Sequence, residues 1–166
     1  MKGEDVILLL VICQGDASFD AHHDMNKIAT ADRGQMNFTT TEEMYNVIVS
    51  MTKKLMADVP FKDVISTGTC LQNLRTSSLN NSMCLTRDGY HMDYGISRYA
   101  AACMMFEKLI SPSFDNVKLD GNAYRYNVSV TSDGSYTTPV TDANAPIALQ
   151  AARYALETPY AVTDMK

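Results

Sequence analysis

Basic clusters are missing from this 166-residue chain: no run of Lys and Arg exceeds the pair Lys53-Lys54, and 14 basic residues stand against 19 acidic ones, a formal net charge of −5. Proteins that grip nucleic acid gather cations to neutralise phosphates, so no nucleic-acid partner is expected. Long apolar runs are missing as well. The longest, Val6–Cys13 (VILLLVIC), has eight residues, against about 20 for a bilayer-spanning helix, and no membrane partner is expected. Nor does this run make a signal peptide, which needs a basic start and small residues before the cut. Glu4 and Asp5 precede it, and Ile12 fills the place where a lipoprotein-type cleavage site wants a small side chain. No targeting segment is assigned, and the compartment stays open.

Metal-ligand spacing is equally scarce. The four cysteines, at 13, 70, 84 and 103, form no C-x-x-C pair, and the three histidines are His22, His23 and His91. A zinc site wants Cys and His at short spacing. In DAHHD, Asp20, His22, His23 and Asp24 are suitable ligand types, but adjacent histidines diverge on a strand, and a solvated polar loop accounts for them. No metal and no cofactor are expected. Cys13 and Cys103 lie in apolar runs and suit buried free thiols; a Cys70–Cys84 bridge is left open. What is present fits an ordinary globular protein, with 46% hydrophobic and 20% charged residues, long enough for one domain with a real core. There is no internal repeat.

Val6–Cys13 is rich in aliphatic and β-branched residues, which suits a strand covered on both faces, as in a parallel α/β sheet. Residues 14–38 read as a loop with a short helix. Thr39 and Thr40 each stand three before a glutamate, Glu42 and Glu43, the capping-box spacing. Met44, Val47, Ile48, Met51 and Leu55 then form a helical stripe predicted to face the core, and Pro60 ends the element. KDVIST (62–67) reads as a short strand followed at once by Gly68. Strand, helix, strand predicts a βαβ unit with parallel strands. Residues 68–87 read as a polar connection with one helical turn around Leu71 and Leu74. From about Tyr94, the residues Ile96, Tyr99, Ala100, Cys103, Phe106 and Ile110 mark a second amphipathic helix, stopped by Pro112. Residues 113–140 read as an irregular excursion containing a strand-like YNVSV. Thr141 or Asp142 caps a last helix, with Ile147, Ala151 and Ala155 inward and Pro159 at its end.

Among these elements Asp88 and His91 sit three apart in a glycine-containing turn just ahead of a helix. A serine hydrolase needs a base to take the hydroxyl proton and a carboxylate to hold that base in the right tautomer. Asp-x-x-His within one turn can return the carboxylate to Nδ1 and leave Nε2 facing a nucleophile. Ligands in open α/β sheets bind outside the carboxyl ends of strands, where loops enter helices. The same residues also suit plain turn chemistry: Asp-Gly is a common turn, and Asp88 or Asp93 can cap the helix that follows.

The block LTRDGYHMDYGISRYAAACMMFEKL resembles the last conserved block of the SGNH (GDSL-type) hydrolases, and within them a bacterial subgroup known as a domain of unknown function. ISTGTCLQNLRTS (65–77), TTEEMYNVIV (40–49) and PVTDANAPIALQAARYALETPYAVT are similar to segments of the same subgroup. The resemblance spans about residues 36–166 and is strongest over 63–110. It implies a three-layer α/β fold with a flavodoxin-like parallel sheet, residues 1–166 forming a single SGNH hydrolase-like domain. It also implies hydrolysis of esters, often acyl groups on carbohydrates or lipids. His91 matches the family's general base and Asp88 its orienting acid. Gly68, Asn73 and Arg75 fall in a segment expected near the pocket, where a backbone turn, local hydrogen bonds and a solvated charge explain them equally. Tyr90 suits a sugar-binding cleft.

The nucleophile block departs from the family. A Gly-Asp-Ser motif should follow the first strand, whereas this chain has Gly15-Asp16-Ala17, with Ser18 one place later. The middle blocks that line the oxyanion hole, a glycine and a Gly-x-Asn-Asp segment, have no counterpart. Either the chain holds the back half of such a domain, a truncated fold, or it is a compact variant with Ser18 as a displaced nucleophile. The expectation is an SGNH-type ester hydrolase in which Ser18, His91 and Asp88 act on a small-molecule or carbohydrate ester, with activity impaired at the nucleophile. The alternative is a non-catalytic remnant serving as a binding or oligomerisation module. Its shortened sheet would leave an edge that recruits a partner and would make a homodimer. Relatives are often exported, though this chain carries no export signal.

Overall fold

The computed structural model describes residues 7–10, 41–81, 85–86, 92–125 and 138–166. These residues mix helix and strand. Strands β1 (Ile7–Leu10) and β2 (Asp63–Ser66) run parallel, with Leu9 opposite Ile65 and Leu10 opposite Ser66. Parallel neighbours need a crossover connection, and helix α1 (Thr41–Asp58) lies within it. The βαβ order read from the sequence is therefore the order observed. The rest of Val6–Cys13, the loop at 14–38, the capping residues Thr39 and Thr40, and the segment YNVSV lie outside the described residues.

β2 passes directly into helix α2 (Thr67–Thr76). The single turn expected here is instead a ten-residue helix, buried from Thr67 through Leu74. Its polar side chains tolerate burial because they have partners on other elements. Thr69 Oγ1 donates to the Pro159 carbonyl at 2.7 Å and lies 2.9 Å from the Tyr45 hydroxyl of α1. Asn73 Nδ2 donates to the Ala151 carbonyl at 3.2 Å, and its Oδ1 accepts the Thr163 N–H at 2.8 Å. Thr76 Oγ1 accepts the Met165 N–H at 2.9 Å. Residues 69, 73 and 76 share one helix face by their spacing. That polar stripe fastens the segment from Pro159 to Met165 along α2.

Helices α3 (Ile96–Met105) and α4 (Ala145–Glu157) complete the core. Ala100 and Ala101 of α3, and Ala148, Ala151, Ala152 and Ala155 of α4, are buried, and small side chains let two helices close up. Ile96, Met104, Leu71, Leu74 and Leu149 fill the space around them. Past Met105, α3 widens into a π turn (Phe106–Ile110) and then a 3₁₀ turn (Ser111–Ser113) that contains Pro112. Lys108 of the π turn pairs with Asp63 at the start of β2. The residues that follow are irregular as expected, and Arg153 of α4 ties them back. Its Nη2 meets Glu107 Oε1 at 2.7 Å and its Nη1 meets Asp120 Oδ1 at 2.8 Å. α4 begins after Asn144 rather than at Thr141 or Asp142. Thr141 N–H donates to Asn144 Oδ1 at 2.8 Å and Asn144 N–H to Thr141 Oγ1 at 3.3 Å, a closed polar turn ahead of Pro146. Cys70 and Cys103 are free, buried thiols, so Cys70 takes no part in a bridge; burial pushes the Cys103 thiol up to about 11.

The inward face of α1 differs from the expected one. Tyr45, Val49 and Thr52 are buried, whereas Met51 is 59% and Leu55 40% exposed. The helix has two apolar sides. Periodicity marks the longer one, but the side that carries Tyr45, with its hydrogen bond to Thr69, is the one that docks.

Replacing Asn73 with leucine keeps the side chain close in size and removes both hydrogen bonds. The expected loss is about 1–3 kcal/mol in urea unfolding, together with faster amide exchange at Thr163 and Met165. Unchanged exchange at those amides would show that the segment is held by other contacts.

Candidate functional site

The stretch carrying the expected base and acid is known by its frame. Thr86 and Met92 form an isolated antiparallel bridge, one on each side of positions 87–91. Asp88, Tyr90 and His91 fall in that interval and Ser18 falls within 11–40; all four lie outside the described residues.

Asp93 is the centre of the frame. Its side chain is fully buried. Oδ1 accepts the Ser97 N–H at 2.7 Å, and Oδ2 accepts the N–H groups of Gly95 at 3.0 Å and Thr138 at 2.8 Å. The Asp93 N–H donates to the Leu85 carbonyl at 3.1 Å, which also accepts the Ser97 hydroxyl at 2.7 Å. Ile96 N–H closes the set on the Thr138 carbonyl at 3.0 Å. The Asp93 carboxylate thus joins the first turn of α3 to the segment at 138, and its own N–H, with the Ser97 hydroxyl, ties both to Leu85 ahead of the 87–91 interval. Capping of α3 by Asp93, one of the options in the sequence, is realised from two residues ahead of the N-cap position Gly95. Burial pushes the Asp93 carboxyl above the ordinary aspartate range. The N–H groups of Thr138, Ser97 and Gly95 oppose that shift without overcoming it.

Gly95 admits this convergence. A Cβ there would lie 1.8 Å from the Thr138 carbonyl oxygen and 3.2 Å from Asp93 Oδ2, so the two backbones meet only because the side chain is absent. Neither Gly95 nor Thr138 was singled out from the sequence. The available signal was an aspartate two residues before a glycine at a helix start, in DYGIS.

Gly68, Asn73 and Arg75 all belong to α2. Gly68 is buried in its first turn, at the carboxyl end of β2, the side on which open parallel sheets receive ligands. Arg75 is half-buried in the last turn, where a cation complements the helix dipole. Seven apart, these two share a helix face, separated by about 10 Å of axial rise. Asn73 points to another side, and both ends of its amide are engaged by the main chain of Ala151 and Thr163. Two hydroxyls, Ser66 Oγ at the end of β2 and Thr86 Oγ1 at the bridge, are buried without a hydrogen-bond partner. Such groups are uncommon enough to require an explanation. Among the described residues there is no group of three or more His, Cys, Asp or Glu able to hold a metal ion; Asp20, His22, His23 and Asp24 lie outside them. No described helix is long and apolar enough to cross a membrane.

The family model for a domain of unknown function, DUF4886, matches residues 19–137. The chain belongs to the DUF4886 family. Within it, the matched residues take in α1, β2, α2, α3, Asp93 and Gly95, while β1, Thr138 and α4 flank the match. The crystal structure of a DUF4886 family protein from Bacteroides uniformis ATCC 8492 is similar over 96% of this chain, at 29% identity and a TM-score of 0.64. The match covers 51% of that protein, so this chain spans about half the length of its solved relative. No curated protein matches it.

Two measurements probe the clamp. Gly95→Ala forces a methyl group into the Thr138 backbone, and a loss of about 1–3 kcal/mol is expected in denaturant unfolding; a neutral result would mean the segments separate freely. The second concerns pH. Because the folded pKa of Asp93 is raised, protonation favours the folded state. That contribution is complete below the ordinary value of 3.8 and is lost as pH rises through the raised one. The stability advantage of wild type over Asp93→Asn, measured by urea unfolding at a series of pH values, should be largest in acid and shrink towards neutrality. An advantage that grows with pH would reverse the sign.

Proposed function

We propose that this DUF4886 domain is an SGNH-type ester hydrolase on a three-layer parallel α/β sheet. Ser18 is the nucleophile, His91 the general base and Asp88 the orienting acid. Gly68, Arg75 and Tyr90 border a small-molecule or carbohydrate ester, while Asn73, expected there from the sequence, instead holds α2 to Ala151 and Thr163. The observation that carries the reading is the frame around positions 87–91. A catalytic base and its acid must be held to within a fraction of an ångström, and the Thr86–Met92 bridge, seated on the buried Asp93 carboxylate, offers that kind of support. In the reaction, Ser18 Oγ attacks the acyl carbon as its proton passes to His91 Nε2. Asp88 holds Nδ1–H and stabilises the imidazolium, which then protonates the departing alcohol. Water repeats the cycle on the acyl-enzyme and frees the acid. The unpartnered hydroxyl of Ser66, at the carboxyl end of β2, favours a polar ligand there.

A second reading, a non-catalytic module that binds or oligomerises, rests on the nucleophile block, where Ala17 stands in the place of the serine and Ser18 follows one residue later. The oxyanion-hole blocks have no counterpart in the chain, and losing one oxyanion donor alone costs about 10²–10³ in rate. Fluorophosphonate labelling with p-nitrophenyl acetate turnover separates the two. Modification at Ser18, with turnover falling about 10³-fold or more in His91→Ala, supports the hydrolase. An unlabelled Ser18, with turnover indifferent to His91→Ala, ends that reading and leaves the module.

A further inference from the structure

The irregular stretch after α3 reverses direction at residues 119–122. Asn122 N–H donates to the Leu119 carbonyl at 3.1 Å, and Gly121 has a φ of +70°, as the third residue of a type II turn requires. Asp120 is the second residue. The N–H of the third takes no part in the hydrogen bond that closes such a turn, and a Cβ on Gly121 would meet nothing within 4 Å. The peptide bond between them therefore has an unscreened nitrogen beside a carboxyl group. Asp120 is 64% exposed on its side chain, yet it is gripped from α4. Arg153 Nη1 donates to its Oδ1 at 2.8 Å and Nη2 to its Oδ2, a bidentate pair. That guanidinium holds the carboxyl below the ordinary aspartate range.

We propose that Asp120–Gly121 is a modification site at which isoaspartate forms, and that the grip of Arg153 restrains the reaction in the folded chain. The Gly121 nitrogen attacks Asp120 Cγ. The N–Cγ bond forms, the C–OH bond of the carboxyl group breaks, and the hydroxyl leaves as water with the amide proton. Water then opens the resulting succinimide. Cleavage of the new N–Cγ bond restores aspartate. Cleavage of the original peptide C–N bond leaves the chain running through Cγ, one methylene longer, with the carboxylate on Cα. One water departs and one enters, and no other reactant is needed. Only the neutral acid can expel water, because an ionised carboxylate would have to expel oxide. A paired cation favours the ionised form, so Arg153 withholds the electrophile. Once isoaspartate forms, the lengthened chain carries the carboxylate out of register with Arg153, and the stretch around residue 120 loses its tie to α4. This inference stands apart from the hydrolase reading, since none of these residues belongs to that site.

Prolonged incubation of the full chain in mildly acidic buffer, followed by tryptic mapping, tests it. Cleavage after Lys118 and Arg125 isolates the peptide LDGNAYR, and electron-transfer fragmentation distinguishes its aspartate and isoaspartate forms. Asp88–Gly89 and Asp133–Gly134, the other Asp-Gly pairs of the chain, serve as internal references. Freed of its cation, Asp120 is neutral more of the time, and Arg153→Gln should raise isoaspartate at residue 120 about threefold or more over wild type. Arg153→Lys keeps the charge without the fork and should fall between the two. Glu107→Gln leaves the Asp120 pair in place and should stay within about twofold of wild type. Circular dichroism and unfolding midpoints check that each variant is folded. Equal rates in wild type and Arg153→Gln overturn the proposal. So does an acceleration shared by all three Asp-Gly pairs, or by Glu107→Gln, which would mark general loosening. An absence of isoaspartate at residue 120 in every variant, under conditions that convert the free peptide LDGNAYR, overturns it as well.

Discussion

The fold around the candidate site depends on one carboxylate that has no contact with solvent. A buried charge without partners is costly, and the N–H groups of Gly95, Ser97 and Thr138 offset part of that cost at Asp93. Those donors come from parts of the chain far apart in sequence, so satisfying the carboxylate assembles them. The start of α3, the ends of the 87–91 interval and the approach to α4 are consequences of this single electrostatic requirement. Gly95 is its steric counterpart, since the donors converge only where a side chain is missing.

The parallel strands and the helix between them were legible because VILLLVIC and DVIS read unambiguously as strands and the α1 pattern has helical periodicity. α2 was not. TGTCLQNLRT has the composition of a polar connection, and nothing in it announces that Thr69, Asn73 and Thr76 meet the main chain of a segment near residue 163. Burial of polar side chains is decided by partners that sequence patterns do not show. α1 illustrates the converse. Its apolar period was visible, but its direction was set by Tyr45 reaching Thr69. For the site, the spacing of Asp88 and His91 and the capping potential of Asp93 could be read directly. The role of Thr138, which is 45 residues from Asp93, could not.

The family relationship and the architecture bear on each other. The chain covers 51% of its solved relative, and the sheet among its described residues has two strands. Among the described residues the second apolar side of α1 is exposed at Met51 and Leu55. The supports on either side of positions 87–91 are assembled among the described residues.

The seam between α3 and α4 has a consequence of a different kind. It is built mainly of alanine methyl groups, from Ala100 to Ala155. Alanine surrenders no rotamer freedom when it is packed and ranks first among helix formers. The two helices therefore associate with almost no loss of side-chain entropy. In return they gain only small contacts, each worth little without the others. A seam of this sort accepts almost no random change, because every replacement other than glycine is larger than the residue it displaces.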